Sequence, residues 1–367
     1  DRTRQLLAVL GALNVCSREH KARRYDGEGK GLSVVKPFVG RSSDVPSDAT
    51  VCRVEHASNE GVVIAEGVNP FYSDIDTYWM TASVIDEAVR RIVSAGGRPD
   101  TIAGLDNFCW PDPVQSEATP DGAYKMAQLV RANQALYDFC TAMQVPLISG
   151  KDSMKNDSTR GGRKISIPPT LLFSAVGKID DVRRAMTLSF QQAGDLVYVL
   201  GETREELGAS EFHRFLARDQ KKPDHTGGDL PKLDPAAAMA SYHRLHEAIH
   251  AGLVASSHTP TLGGLAVGFS LCALGGNLGA DIALGGLGET LSDDALLFSE
   301  SNSRFILTCA PENQNAFEAH FAGLPLVRIG TVRGDDQLVV RTRGEQPLVT
   351  ADLARLRKAF TSTLEGI

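Results

Sequence analysis

A charged bridge at Asp180–Thr187 separates two stretches of chain, each mixing short strand-like runs with long amphipathic helical stripes. This restart constrains the fold more than any single motif, because it predicts two α/β units split near 178–190. In the first stretch Val51–Val54 and Val62–Ala65 read as strands joined by the turn-forming Ser58–Gly61. Ile75, Tyr78, Trp79, Ala82, Ile85, Val89, Ile92 and Val93 keep the three-four spacing of one buried helical face, which Gly96, Gly97 and Pro99 stop. A strand at Thr101–Leu105, a helix over 122–143, a short strand at Val145–Ile148, a loop at Ser149–Asn156 and a strand at Thr170–Val176 follow. Two stripes on the 122–143 helix predict a wide buried face: Leu129, Ala132, Leu136, Phe139 and Met143 form one, Met126, Val130 and Tyr137 the other.

The second stretch reads as strand 195–200, a Gly/Pro/charge-rich excursion 201–235, helices 236–252 and 264–274, then strands and short helices ending in a helix over 350–364. The expected layout is a connector at 1–47, opening with a short helix near Gln5–Leu13 and then mobile, one domain at 48–178 and a second at 185–367. The mixture lacks the clean alternation of a doubly wound sheet, so an α+β, α/β-layered fold with antiparallel pairs is expected.

A chain of 367 residues, 42% hydrophobic and 23% charged, has the balance of a globular protein and excludes disorder. Its net charge of −7 argues against a duplex nucleic-acid partner, though a local basic pocket for a phosphorylated small substrate is compatible with it. No run approaches the roughly 18 apolar residues of a membrane helix, and the N-terminal region has no apolar signal core. Cys16, Cys52, Cys109, Cys140, Cys272 and Cys309 form no CxxC pair, which points to a reducing, cytoplasmic setting. Asp1 in place of methionine is expected of a processed chain or a piece of a longer one.

The sharpest local feature is SGKDSMKND at 149–157. Gly150 lets a ligand approach the backbone, Lys151 neutralises phosphate oxygens, Asp152 suits Mg²⁺, and Ser153 donates to a phosphate or carbonyl. It is not a Walker A loop, because Val145 stands where glycine belongs and Asp152 where Ser or Thr should follow the lysine. The plainer reading is a polar turn with a Lys–Asp pair. LDNFCWPDP at 105–113 places Asp106, Asn107 and Asp112 in a rigid segment that suits a pocket lining or a packed corner equally. Asp48 alone reads as a turn residue and Glu87, four residues before Arg91, as half of a helix-surface ion pair. His243, His246 and His250 share a helical face with Glu247, where a solvated polar face outweighs a metal site. The glycines of TLGGL (261–265) and LGG (274–276) look like helix-start and C-cap residues.

Taken with RRYDGEGKG (23–31), KPFVG (36–40), PPTLLFSAVGKIDDV (168–182), GETREELGASEF (201–212) and LFSESNSRF (297–305), these motifs resemble the phosphoribosylformylglycinamidine synthase family. The chain is similar to the second of its two homologous synthetase halves, over essentially its whole length and with the motifs in order. The resemblance implies an ATP-dependent C–N ligase of purine biosynthesis, with the N-terminal domain contributing strands to a β-barrel at a dimer or pseudo-dimer seam. It implies conversion of formylglycinamide ribonucleotide to the amidine with ATP, Mg²⁺ and ammonia from glutamine, through an iminophosphate. The catalytic histidine and most ATP ligands are then expected in a first half, so no catalytic residue is expected here. By the same resemblance Gly150 matches a nucleotide-binding position, Ser153 a substrate-binding one and Lys151 a metal-ligand position, with Asp106, Asn107 and Asp152 as pocket-lining candidates. The family's ATP-approaching aspartate falls here on Gly104.

The resemblance also implies an auxiliary nucleotide site holding ADP, with Asp48 and Glu87 at Mg²⁺-ligand positions and Arg18 and Thr261 at nucleotide-binding ones. There the chain departs from the family: Arg91 stands for an asparagine ligand, and HDxSDGGL appears as HTPTLGGL (258–265), with Thr259 and Leu262 replacing acids. An anionic ligand lost and a cation gained predict a decayed auxiliary site. The implied partners are a first synthetase half and a glutaminase domain or subunit, or a second copy of the isolated chain in a homodimer. A self-sufficient homodimeric enzyme resembling aminoimidazole ribonucleotide synthetase and a non-catalytic scaffold half are the rival expectations.

Overall fold

The computed structural model describes residues 1–24, 28–222 and 227–365. Tyr25–Gly27 of the 23–31 motif, residues 223–226 of the 201–235 excursion and the last two residues lie outside the described residues. The first half comprises α1 (Thr3–Leu10), α2 (Glu19–Ala22), β1 (Ser33–Val35), β2 (Phe38–Val39), β3 (Val45–Pro46), β4 (Thr50–Arg53), β5 (Gly61–Val68), α3 (Thr77–Ser94), β6 (Ala103–Cys109), α4 (Gly122–Ala142), β7 (Leu147–Ser153), β8 (Asp157–Arg160), β9 (Arg163–Ser166) and β10 (Thr170–Ile179). The second comprises β11 (Leu196–Leu200), α5 (Glu211–Asp219), α6 (Pro235–His250), β12 (Ser256–His258), α7 (Gly264–Gly276), β13 (Ala280–Ala283), α8 (Asp293–Phe298), β14 (Phe305–Cys309), α9 (Gln314–His320), β15 (Leu326–Val332), β16 (Gln337–Arg341), β17 (Val349–Asp352) and α10 (Leu353–Thr361).

Among the described residues two large open sheets and the two-stranded pairs β2–β3 and β8–β9 form a mixed α/β fold. The first runs β1-β4-β5-β10-β6-β7 and the second β12-β14-β11-β15-β13-β16-β17. Both are largely antiparallel, with parallel pairs at β6–β7, where α4 makes the crossover, and at β13–β16. Neither sheet closes into a barrel within the chain.

On the first sheet strand residues alternate faces. Val63, Ala65, Leu171, Phe173 and Ala175 point to the helices, and Ile64, Val68, Leu172 and Val176 point away. Helix α3 begins where Asp76 accepts the Tyr78 amide at 2.9 Å, and it buries Met80, Ile85, Val89 and Ile92. Each such side chain contributes about 1.5–3 kcal/mol on removal from water. Gly67 is the close-approach point, since a Cβ there would strike the Val84 carbonyl of α3.

Two expectations change here. On α4 the first stripe packs inward, but Met126, Val130 and Tyr137 are exposed. One side of α4 faces α3, and among the described residues the other side stays exposed, so only one of its stripes is packed. The stretch expected to be mobile after the N-terminal helix is also partly ordered, since β1 extends the first sheet, while Leu6, Val9 and Leu10 of the helix α1 belong to the apolar core beneath the second sheet.

Candidate functional site

The segment read as a loop, Ser149–Asn156, begins as strand. Gly150, Lys151, Asp152 and Ser153 lie in β7, which occupies the free edge of the first sheet. The parallel ladder extends to it because β6 continues to Cys109, pairing Asp106 with Gly150, Asn107 with Lys151, Phe108 with Asp152 and Cys109 with Ser153. Strand alternation therefore sorts the six candidates onto two faces. Asp106, Gly150 and Asp152 are on the helix side, and Asn107, Lys151 and Ser153 are on the open side.

On the helix side the Asp106 carboxylate lies over Gly150, where an added Cβ would come within 2.6 Å of its Oδ1. Burial raises the Asp106 pKa, and the neighbouring Asp152 charge adds to the rise. On the open side the Lys151 ammonium donates to Ser153 Oγ at 2.9 Å. The Oδ1 of Asn107 is buried there without a hydrogen-bond partner. Trp110, next in the chain, is fully buried with its indole N–H donating to the Lys125 carbonyl at 3.0 Å, so LDNFCWPDP is strand followed by a packed corner.

A second group gathers where α3 meets the turn between β12 and α7. Asp48 Oδ1 accepts from His258 Nδ1 at 2.9 Å, and Oδ2 accepts the Thr259 amide at 3.0 Å and the Ser94 hydroxyl at 3.1 Å. Burial works to raise the Asp48 pKa, but His258, Arg91 and the Thr259 amide outweigh it and hold the carboxylate below its ordinary value. Glu87 pairs with Arg91 at 2.7 Å, and Arg91 also donates to the Glu66 carbonyl at 3.0 Å. Thr261 and Glu87 line one narrow cleft with Asn69, Tyr72, Arg90 and Glu300. Arg18 stands outside this group, turned back on the Leu13 carbonyl at 2.8 Å.

These residues do not fit a divalent cation. Both oxygens of Asp48 already accept protein donors, Glu87 faces a guanidinium, and position 259 offers a hydroxyl in place of a carboxylate. Among the described residues no group of three or more His, Cys, Asp or Glu side chains could hold a metal ion. Of the helical histidines, the His246 and His250 rings lie 4.3 Å apart, tilted by 48°, and His250 Nε2 lies 3.1 Å from the Gly96 carbonyl.

Sequence reasoning missed the buried polar frame behind this cleft. Asp86 accepts from Arg90 at 2.5 Å, from the Ser303 amide and hydroxyl at 2.9 and 2.8 Å, and from the Tyr242 hydroxyl. Glu300 accepts from Tyr72 at 2.6 Å, from the Gly263 amide at 2.9 Å and from the Glu211 amide at 3.0 Å. Burial lifts the Glu300 pKa to about 7 against these three donors, with the Glu211 charge adding to the rise. Motif resemblance touched Glu211, Glu300 and Ser303 among them, through GETREELGASEF and LFSESNSRF. Nothing in helical spacing marks an Asp–Arg pair as buried.

The second half of the chain is similar to AIR synthase-related proteins. Residues 192–343 match the family described as AIR synthase related protein, C-terminal domain. Over 338 residues the chain is 31% identical to phosphoribosylformylglycinamidine synthase subunit PurL of Alkaliphilus metalliredigens, covering 92% of this chain and 42% of that protein. The fold is shared with Thermotoga maritima PurL complexed with FGAR, at a TM-score of 0.71 and 16% identity over 96% of this chain and 53% of that one. The PurLQS structure from T. maritima matches at a TM-score of 0.66 and 18% identity, over 98% of this chain and 52% of that one. The chain thus spans about half the length of the PurL proteins it is similar to.

Proposed function

We propose that this chain is the second synthetase half of a phosphoribosylformylglycinamidine synthase of the cytoplasm. In that role it works with a first half and a glutaminase in de novo purine biosynthesis. Formylglycinamide ribonucleotide, ATP and ammonia drawn from glutamine give the amidine, ADP and phosphate. The observation that carries this reading is the similarity to PurL over 92% of the chain. In accord with it, no described helix is long and apolar enough to cross a membrane.

The chemistry needs an amide oxygen converted into a leaving group. Phosphorylation by ATP does this, and the charge that develops on the phosphoryl oxygens must be met by fixed donors. β7 supplies two from this chain. Lys151 donates to Ser153 Oγ, so the serine hydrogen is free to point at a substrate oxygen, and the ammonium adds a positive charge beside it. Gly150 keeps the strand flat against Asp106 while its backbone borders the nucleotide. A charged lysine does not ligate Mg²⁺, so Lys151 acts as a cation here and not as a metal ligand. The catalytic base and the ATP ligands come from the first half, and no step is assigned to the Asp48–Glu87 group.

The open face of the first sheet, with Ile64 and Val68 exposed, is the surface that meets the first half, or a second copy when the chain is alone. The test uses the complete enzyme. Ser153→Ala is expected to lower amidine formation by about a hundredfold, the cost of losing an oriented transition-state donor, and Gly150→Ala to lower it as well, because the added Cβ meets Asp106 Oδ1 at 2.6 Å and shifts the strand. Wild-type turnover in both variants overturns the reading in favour of a scaffold half. ATP turnover by this chain alone overturns it in favour of a self-sufficient enzyme. Sedimentation of the isolated chain as a monomer at high concentration removes the pairing surface.

A further inference from the structure

A cavity of about 260 Å³ opens at the end of the second sheet, where β11 leaves the sheet at Gly201 and the segments leading into β14 and β15 begin. It shares Asn302 with the narrow cleft and Ser303 with the polar frame behind it, and none of the Gly150–Ser153 residues, Asp48, Glu87 or Thr261 lines it. Its polar lining is of mixed sign: Arg204 and Lys232 against Glu202, Glu206 and Asp234. All five have partners. Arg204 pairs with Glu202 at 2.6 Å, Asp234 caps α6 by accepting the Ala236 and Ala237 amides, and the Lys232 ammonium sits 4.4 Å above the Trp79 ring.

Glu206 is satisfied on one oxygen only. It is 4% exposed, its Oε1 accepts the Lys232 amide at 2.8 Å and lies 4.0 Å from the Arg204 guanidinium, and its Oε2 is buried with no hydrogen-bond partner. A buried acceptor left unpaired is destabilising, a cost that a ligand donor reaching it removes. The wall facing Glu206 is built so that it does not collapse into the space. Ser303 is held in the left-handed region, φ 58°, by donating both its amide and its hydroxyl to buried Asp86. Gly201, at φ 104°, abuts it so closely that a Cβ would lie 2.5 Å from the Ser303 carbonyl oxygen. Backbone strain maintained by a buried network is a mark of a preformed site.

We propose that this cavity binds a small zwitterion of the α-amino acid class. Its ammonium donates to the unpaired oxygen of Glu206, and its carboxylate lies toward Arg204 and Lys232. A simple anion leaves the Glu206 Oε2 unpaired, and a simple cation makes no use of Arg204 and Lys232, so a molecule with both charges engages the lining best. The volume is below that of a drug-sized pocket, as suits a molecule of a few heavy atoms.

The test is isothermal titration of the chain with L-serine, and separately with methylammonium and with acetate. L-serine is expected to bind saturably and at least about tenfold more tightly than either half-molecule. Glu206→Gln and Arg204→Gln are each expected to weaken it by about tenfold. Arg204 is on the exposed rim, so its variant carries the test if Glu206→Gln fails to fold. Absence of saturable L-serine binding overturns the proposal. So does equal affinity for acetate or methylammonium, or unchanged binding in Arg204→Gln.

Discussion

Glu87 and Arg91, one turn apart on α3, face each other at 2.7 Å, and the guanidinium stands where the resemblance calls for a neutral metal ligand. A fixed cation beside a carboxylate satisfies its charge without a metal. The wild-type chain is therefore expected to show no Mg²⁺-dependent ADP binding. Arg91→Asn combined with Thr259→Asp is expected to gain it by at least about tenfold, read by calorimetry with and without Mg²⁺. Tight Mg²⁺–ADP binding by the wild type, abolished by Glu87→Ala, defeats this account.

Asp86 is fully buried and accepts from Arg90, Tyr242 and Ser303. Removing it leaves a buried guanidinium uncompensated, so Asp86→Ala is expected to cost about 3–5 kcal/mol in urea unfolding. Arg90→Met in the same chain should recover part of that loss, because the orphaned charge goes with it. A double variant no more stable than the single one contradicts the assignment.

Glu300 ties the segment before α3 to the starts of α5 and α7 through Tyr72, Glu211 and Gly263. Its pKa is raised in the folded state from an ordinary 4.5 to about 7, so the folded chain holds this proton more firmly than the unfolded one. The contribution is whole below an ordinary glutamate pKa and declines as pH rises toward 7, by roughly 3 kcal/mol at the full difference. Glu300→Gln accepts the two amides with its oxygen and is expected to flatten this part of the stability–pH curve. Denaturation at about pH 5 and about pH 7.5 measures it, and an unchanged slope in the variant refutes it.

His246 titrates in the opposite sense. Burial lowers its pKa below 6.5, the adjacent His250 lowers it further, and the Gly96 and Gly97 backbone opposes them in part. The unfolded chain takes up this proton near its ordinary pKa while the folded chain resists, so stability falls as pH drops through and below 6.5. Nearby Arg98 works in the same direction. His246→Gln should lessen the loss between about pH 7 and about pH 5.5, and an equally steep decline shows that other groups cause it.

Local pattern was enough for the elements whose partners lie close in the chain. The 3.6-residue stripe of α3 and the β4–β5 hairpin could be read from Ile85, Val89, Ile92 and the turn at Ser58–Gly61, because periodicity records which face is buried. It misjudged α4, where Met126, Val130 and Tyr137 form a perfectly good stripe that stays exposed. It also read Gly150–Ser153 as a loop, since a polar edge strand carries no hydrophobic alternation and exists only because β6 offers it a ladder.

What the sequence determined by itself was the alphabet of the sites: a Gly-Lys-Asp-Ser run, and an arginine and a threonine at positions where the resemblance expects metal ligands. Tertiary structure alone decided which of those groups meet. It put Lys151 and Ser153 on one face and Asp106 on the other, closed Asp48 against His258 across 210 residues, and left one oxygen of Glu206 unpaired beside a cavity. The physical reason is that hydrogen bonding and burial act through space, and contacts between distant segments leave no periodic trace in the chain.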